Sequence, residues 1–392
     1  MRQTSKWIFC AALLAMLAGC ASVQVSSGPA GDTLDPAQPV VNPHWSFDPA
    51  RAPADRDGYR PPRKLAVLLP MTGQLAVAAA PVRDGLLAGY YGERRNRPEL
   101  VFYDTMGTAG GAVAARDRAL AEGADQILGP LGRDEVSALS GAPQAVPLLA
   151  LNRGNSAPSD NAADFSLAPE DEGTAAADYL LARNAKRVLV LHNGDDHAQR
   201  SVGTFRTRLE ATGGAIAGTI AIVGSSPGDQ SAALAAAATR DGGVDAILIA
   251  LRGNEARLVV PQLFASGLGG KLRVATSQLT SGTGKADEDK ALDGIAFASE
   301  TWTTAGLSGL PSPATLAADL ATARGPAARL FAFGYDAWLL SGYLQHLAEH
   351  PDASLDGATG RLALDPSGNV LRTPAWATFS NGVVVPLRGS GD

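Results

Sequence analysis

The chain has 392 residues, 45% of them hydrophobic, and carries a formal charge of −6, with 33 lysines and arginines against 39 aspartates and glutamates. That acidic balance argues against nucleic acid and against anionic lipid headgroups as partners. The length exceeds what one hydrophobic core usually holds, and after the first twenty residues no apolar run is long enough to suggest anything but a soluble globular body.

At the N-terminus Arg2 and Lys6 precede "WIFCAALLAMLA", residues 7–18, an apolar run of twelve. It is too short to span a bilayer and fits the core of a signal peptide. Its last two residues open "LAGC" (17–20), which resembles the lipobox of bacterial lipoprotein signal peptides. The resemblance implies cleavage before Cys20, with residues 1–19 as signal peptide, and lipid on the Cys20 thiol and the new N-terminus. A general secretory signal with a chance cysteine is the alternative. Two acyl chains make a durable anchor, since each buried methylene contributes about 0.8 kcal/mol. Ala21, followed by Ser22, stands where inner-membrane retention usually needs Asp, so the resemblance implies an outer-membrane lipoprotein facing the periplasm. Cys10 leaves with the signal peptide, so the mature chain has no free thiol and no disulfide. Its charge is then −8, with 31 basic residues against 39 acidic ones.

Residues 20–60 carry prolines at 29, 36, 39, 43, 49 and 53 and few apolar clusters. They are expected to form a flexible tether, reaching roughly 35 Å as a coil and about 130 Å if drawn straight. Trp45 and Phe47 are expected to dock loosely on the domain.

From residue 61 to 392 the chain reads as one two-lobed domain. "KLAVLLP" (64–70) is a buried strand, and residues 80–95 place Val82, Leu86 and Tyr90 on one helical face. "ELVFYD" follows as a strand, then a helix with Thr108 as N-cap and Gly123 as terminator. "DQILGP" and "VPLLALN" are strands three and four, with a short helix between them. After "FSLAPEDEG" the rhythm restarts: helix 171–183, "RVLVLH", helix 198–211, "AIAGTIAIV", helix 230–239, "DAILIAL", helix 254–266 and "LRVAT". "DGIAFASETW", a helix over 327–349 and a β-hairpin in "TGRLALDPSGNVL" close the chain. Two sets of βα units predict an α/β fold of two doubly wound parallel-sheet lobes. The first lobe is placed at 63–168 plus 298–352, and the second at 169–297 plus 353–390.

The order of "LLPMTGQLAVAAAPVRDGLLAGYY", "GADQILGPLGRDEV", "VPLLALNR", "FSLAPEDE", "AILIALRGNEARLVVPQL", "RLFAFGYDAW" and "GATGRLALDPSGNVLRTPAWATF" resembles the LppC/LpoA lipoproteins, the penicillin-binding protein activators. The resemblance covers residues 63–388. It implies a type I periplasmic binding-protein fold and a non-catalytic regulator that contacts a class A penicillin-binding protein. The best-known members carry a large helical repeat domain between lipid and fold, and here only the tether occupies that place.

A solute receptor for a small ligand, such as an amino acid or a cell-wall fragment, is the alternative. In this fold a ligand sits between the lobes at helix N-termini. The cleft positions are then Thr72, Gly73 and Gln74, followed by Gly129, Pro130 and Leu131, and by Asn152 and Arg153. Thr72 reads equally as a helix N-cap and Gly129–Pro130 as a turn. Arg153, after an apolar strand, needs a partner or a ligand. "GPLGRDEV" has no hydroxyl until Ser137, unlike amino-acid receptors of the fold.

Enzyme patterns are weak. "HLAEH" (346–350) matches H-x-x-E-H but lacks a later Glu ligand, and "HNGDDH" (192–197) reads as a capped helix start. There is no nucleophile elbow, phosphate loop or dinucleotide fingerprint. No catalytic set, metal or cofactor is expected. The acidic run "KADEDKALD" (285–293) is a solvated loop or a patch for a basic partner.

Overall fold

The computed structural model describes residues 44–224 and 227–387. Cys10 and Cys20, and with them the lipid-anchor assignment, lie outside the described residues.

The first lobe begins with β1 (Lys64–Leu69), α1 (Ala76–Gly92), β2 (Glu99–Asp104), α2 (Ala109–Ala121), β3 (Gln126–Leu128), α3 (Arg133–Leu139), β4 (Leu148–Ala150) and β5 (Ala162–Asp164). The five strands form a parallel sheet in the order β2-β1-β3-β4-β5. Parallel strands covered on both faces must be apolar throughout. In β1, Leu65, Val67 and Leu69 enter one core while Ala66 and Leu68 enter the other.

The second lobe follows with α4 (Pro169–Leu181), β6 (Arg187–His192), α5 (Asp196–Ala211), β7 (Ala215–Ala221), α6 (Ser231–Ala238), β8 (Ala246–Ala250), α7 (Gly253–Ala265), β9 (Leu272–Ala275), α8 (Ala286–Asp289) and β10 (Ala296–Ser299). The chain then returns to the first lobe through α9 (Thr301–Ala305), α10 (Pro313–Asp319) and α11 (Ala327–Glu349). A three-stranded antiparallel sheet of β11 (Leu355–Asp356), β12 (Arg361–Leu364) and β13 (Val370–Thr373) comes next. Finally β14 (Ala375–Ser380) and β15 (Val383–Pro386) complete the second sheet, β15-β14-β10-β9-β8-β6-β7. Among the described residues the chain passes between lobes at 165–168, at Glu300 and at Pro374.

The hairpin departs from the expected lobe boundary. The sequence places residues 353–390 in the second lobe, but Leu362, Leu364 and Val370 are buried in the first lobe's core. Asp164 of β5 also bridges to Asn369. Only the stretch from Ala375 onward joins the second sheet, antiparallel to β10. The alternation in the hairpin specifies one buried face, and the lobe that covers it is set by the neighbouring edge of β5.

Residues 44–60, placed by sequence in the tether, lie along the first lobe. Trp45 and Phe47 stack with ring centroids 5.6 Å apart and pack on its core. Arg51 is buried, its Nε 2.8 Å from Asp125 Oδ2, its Nη2 donating to the Asp125 carbonyl at 2.6 Å and its Nη1 to Gln126 at 3.1 Å. Tyr59 is buried and donates to the Asn96 carbonyl at 2.9 Å. No described helix is long and apolar enough to cross a membrane.

Candidate functional site: the cleft between the lobes

The strand ends of the first lobe supply one wall of the cleft, and the loops there are tied mainly to themselves. Asp104, ending β2, accepts the Thr72 hydroxyl at 2.7 Å and the N–H groups of Met71 at 2.9 Å and Met106 at 2.8 Å. Burial works against its charge, but these hydrogen bonds outweigh it and hold the carboxyl below its ordinary value. Thr72 therefore braces the loop onto β2, and the N-cap position of α1 falls to Leu75, which has no side-chain hydrogen bond. Gly73 has φ +82°, and a Cβ there would stand 2.9 Å from the Met106 carbonyl. Gln74 is exposed.

Gly129 adopts φ +100° with its backbone against β1, where a Cβ would meet the Leu68 carbonyl at 2.1 Å. The Pro130 carbonyl accepts from Leu151 N at 2.9 Å. Asn152 donates to the Leu131 carbonyl at 2.9 Å and accepts from Arg153 N at 2.9 Å. Leu131 and Asn152 line a cavity of about 230 Å³ with Leu167, Arg200, Leu330 and Phe333. Thr72, Gly73, Gln74, Gly129 and Pro130 are not among its lining residues. Arg153 turns away into a neighbouring groove of about 320 Å³ shared with Tyr179, Arg372 and Trp376.

Arg153 finds its partner across the cleft, donating to Asp171 on the first turn of α4 at 2.8 Å. Three acids, Glu170, Asp171 and Glu172, occupy that turn, where the helix dipole favours negative charge. Burial raises the Asp171 carboxyl above its ordinary value in spite of Arg153. Glu172 is 1% exposed and accepts from Arg329 Nη2 at 2.6 Å, from Ser277 N at 2.8 Å and from the Ser277 hydroxyl at 2.8 Å. His197 Nε2 lies 3.6 Å from the same carboxylate. Burial opposes the Glu172 charge, but Arg329, His197 and the Ser277 N–H outweigh it and hold the carboxyl well below the usual range. Arg329 Nε also stands 2.9 Å from Glu300 at the second crossing.

Sequence reading did not single out Glu172, Ser277, Glu300 or Arg329. Acids in a first helical turn read as dipole partners, and an arginine opening an apolar helix carries no signature of what it will meet 157 residues away.

The other patterns have local roles. Asp195 caps α5, accepting from Ala198 N at 2.8 Å. The His346 ring packs beside Gly58, and a His350 ring nitrogen lies 2.9 Å from the His346 carbonyl at the end of α11. In the acidic run, Arg257 pairs with Glu288 at 2.8 Å and with Asp289 at 2.5 Å, and Lys290 pairs with Asp287 at 2.8 Å. Among the described residues no group of three or more His, Cys, Asp or Glu side chains is placed to hold a metal ion.

Two α/β lobes joined by three crossings, with a cleft at their strand ends, are the type I periplasmic binding-protein architecture. A family model described as "LppC putative lipoprotein" matches residues 59–382, which covers both lobes and all three crossings. The chain belongs to the LppC family. Among LppC-related proteins, the penicillin-binding protein activator LpoA of Mannheimia succiniciproducens is 27% identical over 331 residues, covering 83% of this chain and 55% of its own length. The chain spans about half the length of the curated relatives it matches, with 46% and 48% covered in the next two. The LpoA C-domain of Haemophilus influenzae, described as a regulator of PBP1A, superposes with TM-score 0.70 at 22% identity, over 83% of this chain and 100% of that one. At that identity the likeness establishes the fold alone. A "putative branched-chain amino acid ABC transporter" from Chromobacterium violaceum superposes with TM-score 0.66 at 27% identity, over 81% of this chain and 99% of that one.

Proposed function

We propose that this LppC-family protein is an outer-membrane lipoprotein, anchored through Cys20, that binds a class A penicillin-binding protein and raises its activity without catalysing a step itself. The observation that carries the reading is the alignment with proteins named penicillin-binding protein activator LpoA across both lobes. The chemistry of the cleft agrees with it. The carboxylates Asp171, Glu172 and Glu300 are each paired with Arg153 or Arg329, so none of the three stands ready as a nucleophile or general base. An activator needs only to bind the active state of its partner better, by about 1–3 kcal/mol for a useful effect.

The test is capture on the immobilised full-length protein from detergent-solubilised membranes of the same organism, followed by assays of glycan polymerisation and peptide crosslinking. Recovery of a class A synthase whose rate rises with added protein is the expected result. Failure to bind or stimulate any such synthase would overturn the proposal.

A second reading, a receptor for a small solute, is favoured by the cavity of about 230 Å³ walled by Leu131, Leu151, Leu167, Leu330 and Phe333. It requires a solute whose binding raises the melting temperature progressively, as the logarithm of its concentration above the dissociation constant, and a thermal-shift screen with amino acids and cell-wall fragments decides it.

A further inference from the structure

In a binding protein of this architecture the angle between the lobes is normally set by what lies in the cleft, because a ligand that touches both walls favours the arrangement in which it does so. In this chain two side chains of the first lobe already make such contacts. Arg153, at the end of β4, reaches Asp171 at 2.8 Å, and Arg329, in the first turn of α11, reaches Glu172 at 2.6 Å. The two acceptors are consecutive residues on the first turn of α4, whose far side packs into the second lobe through Ala176, Ala177 and Leu180. Arg329 is carried by a 23-residue helix whose body is buried in the first lobe through Phe333, Ala337, Trp338, Leu340 and Leu344. Both ends of the contact are thus fixed in rigid elements of opposite lobes. The second contact of Arg329, with Glu300 at 2.9 Å, falls on the segment that crosses between them.

We propose that Arg153–Asp171 and Arg329–Glu172 form a built-in latch that holds the lobes at one angle with no solute in the cleft. The inference does not depend on the activator reading, since it concerns how the two lobes are held and not what they bind. Separating the lobes would take from Glu172, 1% exposed, the guanidinium of Arg329, leaving it His197 at 3.6 Å and Ser277 within its own lobe, and would leave Arg329 with Glu300, and parting a buried ion pair is strongly disfavoured. The latch also supplies from within the cation-to-carboxylate contacts that an anionic solute would otherwise make with Arg153 and Arg329.

The test is a distance measurement between the lobes by double electron–electron resonance. Cys10 and Cys20 are the chain's two cysteines, so the full chain carrying Cys10→Ala and Cys20→Ala accepts spin labels only at introduced sites. Val77→Cys on the first lobe and Arg206→Cys on the second are both exposed. The expected result is one narrow distance distribution that free amino acids and muropeptides leave in place. The double variant Arg329→Gln with Arg153→Gln is expected to broaden that distribution and move it to longer distance. Arg153→Gln alone, which breaks the more exposed pair, keeps the test open if the double variant does not fold, and it is expected to give a smaller broadening. A distribution that stays narrow and unmoved in a folded variant overturns the proposal. So does an unliganded parent that is already broad, or one that a solute narrows.

Discussion

Asp336 and Glu172 are both buried carboxylates, yet their surroundings drive them in opposite directions. Asp336 accepts from Ala358 N at 2.5 Å, Thr359 N at 2.7 Å and the Thr359 hydroxyl at 2.6 Å. Burial outweighs these bonds and pushes the carboxyl up to about 6. Asp164 is likewise pushed up to about 6 by burial, against Gly154 N–H and Arg153. A raised acid binds its proton more tightly in the fold than in the unfolded chain. Its stabilising effect is therefore complete below about pH 4 and is lost as pH rises through about 6. Glu172, held low, behaves oppositely: its contribution is present above its unfolded value and is lost as the solution becomes more acid than that. Urea denaturation at pH 5 and pH 7 should show the parent losing about 1 kcal/mol more than Asp164→Asn over that interval. Equal losses in the two proteins would mean that Asp164 does not titrate there.

At the scale of elements, the closest helix contact in the first lobe depends on two glycines. A Cβ on Gly85 of α1 would stand 1.9 Å from the Phe331 carbonyl of α11, and one on Gly334 of α11 would stand 1.9 Å from the Val82 carbonyl of α1. The backbones touch because neither helix carries a side chain at the crossing. Gly85→Ala should therefore destabilise the protein by about 1–3 kcal/mol through overpacking. Gly110→Ala, on α2 with nothing within 4 Å of the added atom, should be neutral or stabilising by up to about 1 kcal/mol. Denaturant midpoints of the pair check the contrast, and equal effects would refute the close approach. The period of Val82, Leu86 and Tyr90 was enough to show α1 in the sequence, but not its start. The helix begins at Ala76, where a run of small residues carries no periodic signal. Gly85 and Gly89 read as weak points in a helix, although the structure uses both as places where another element comes close: Gly89 has Trp338 where a Cβ would be.

On the scale of the whole molecule, the strap over residues 44–60 is part of the first lobe, and Arg51 pins it. Its Asp125 partner also accepts from Lys64 N at 2.7 Å and Arg63 N at 3.2 Å, which ties the strap to the start of β1. Arg51→Ala should cost about 3 kcal/mol by leaving Asp125 buried without its cation, seen as a lower melting temperature of the full chain. A cost near zero would mean that the strap is only loosely attached. In the sequence the strap was hidden by its prolines, which suit an extended segment lying on a surface as well as a free one. The two-lobed plan was legible because buried parallel strands announce themselves as apolar runs. The pairing across the cleft was not, because Arg329 and Glu172 meet only after both lobes have formed. The contact between α1 and α11 has a further consequence for how the chain matures. One face of the first sheet lacks Phe333, Trp338, Leu340 and Leu344 until the second lobe and α11 have been synthesised, and a chain emerging N-terminus first exposes such a face throughout that delay. Five of the second sheet's seven strands, β6 to β10, are contiguous in the chain, so most of that sheet can assemble before the first lobe has its last helix, and the first lobe is the half with an apolar face open in the meantime.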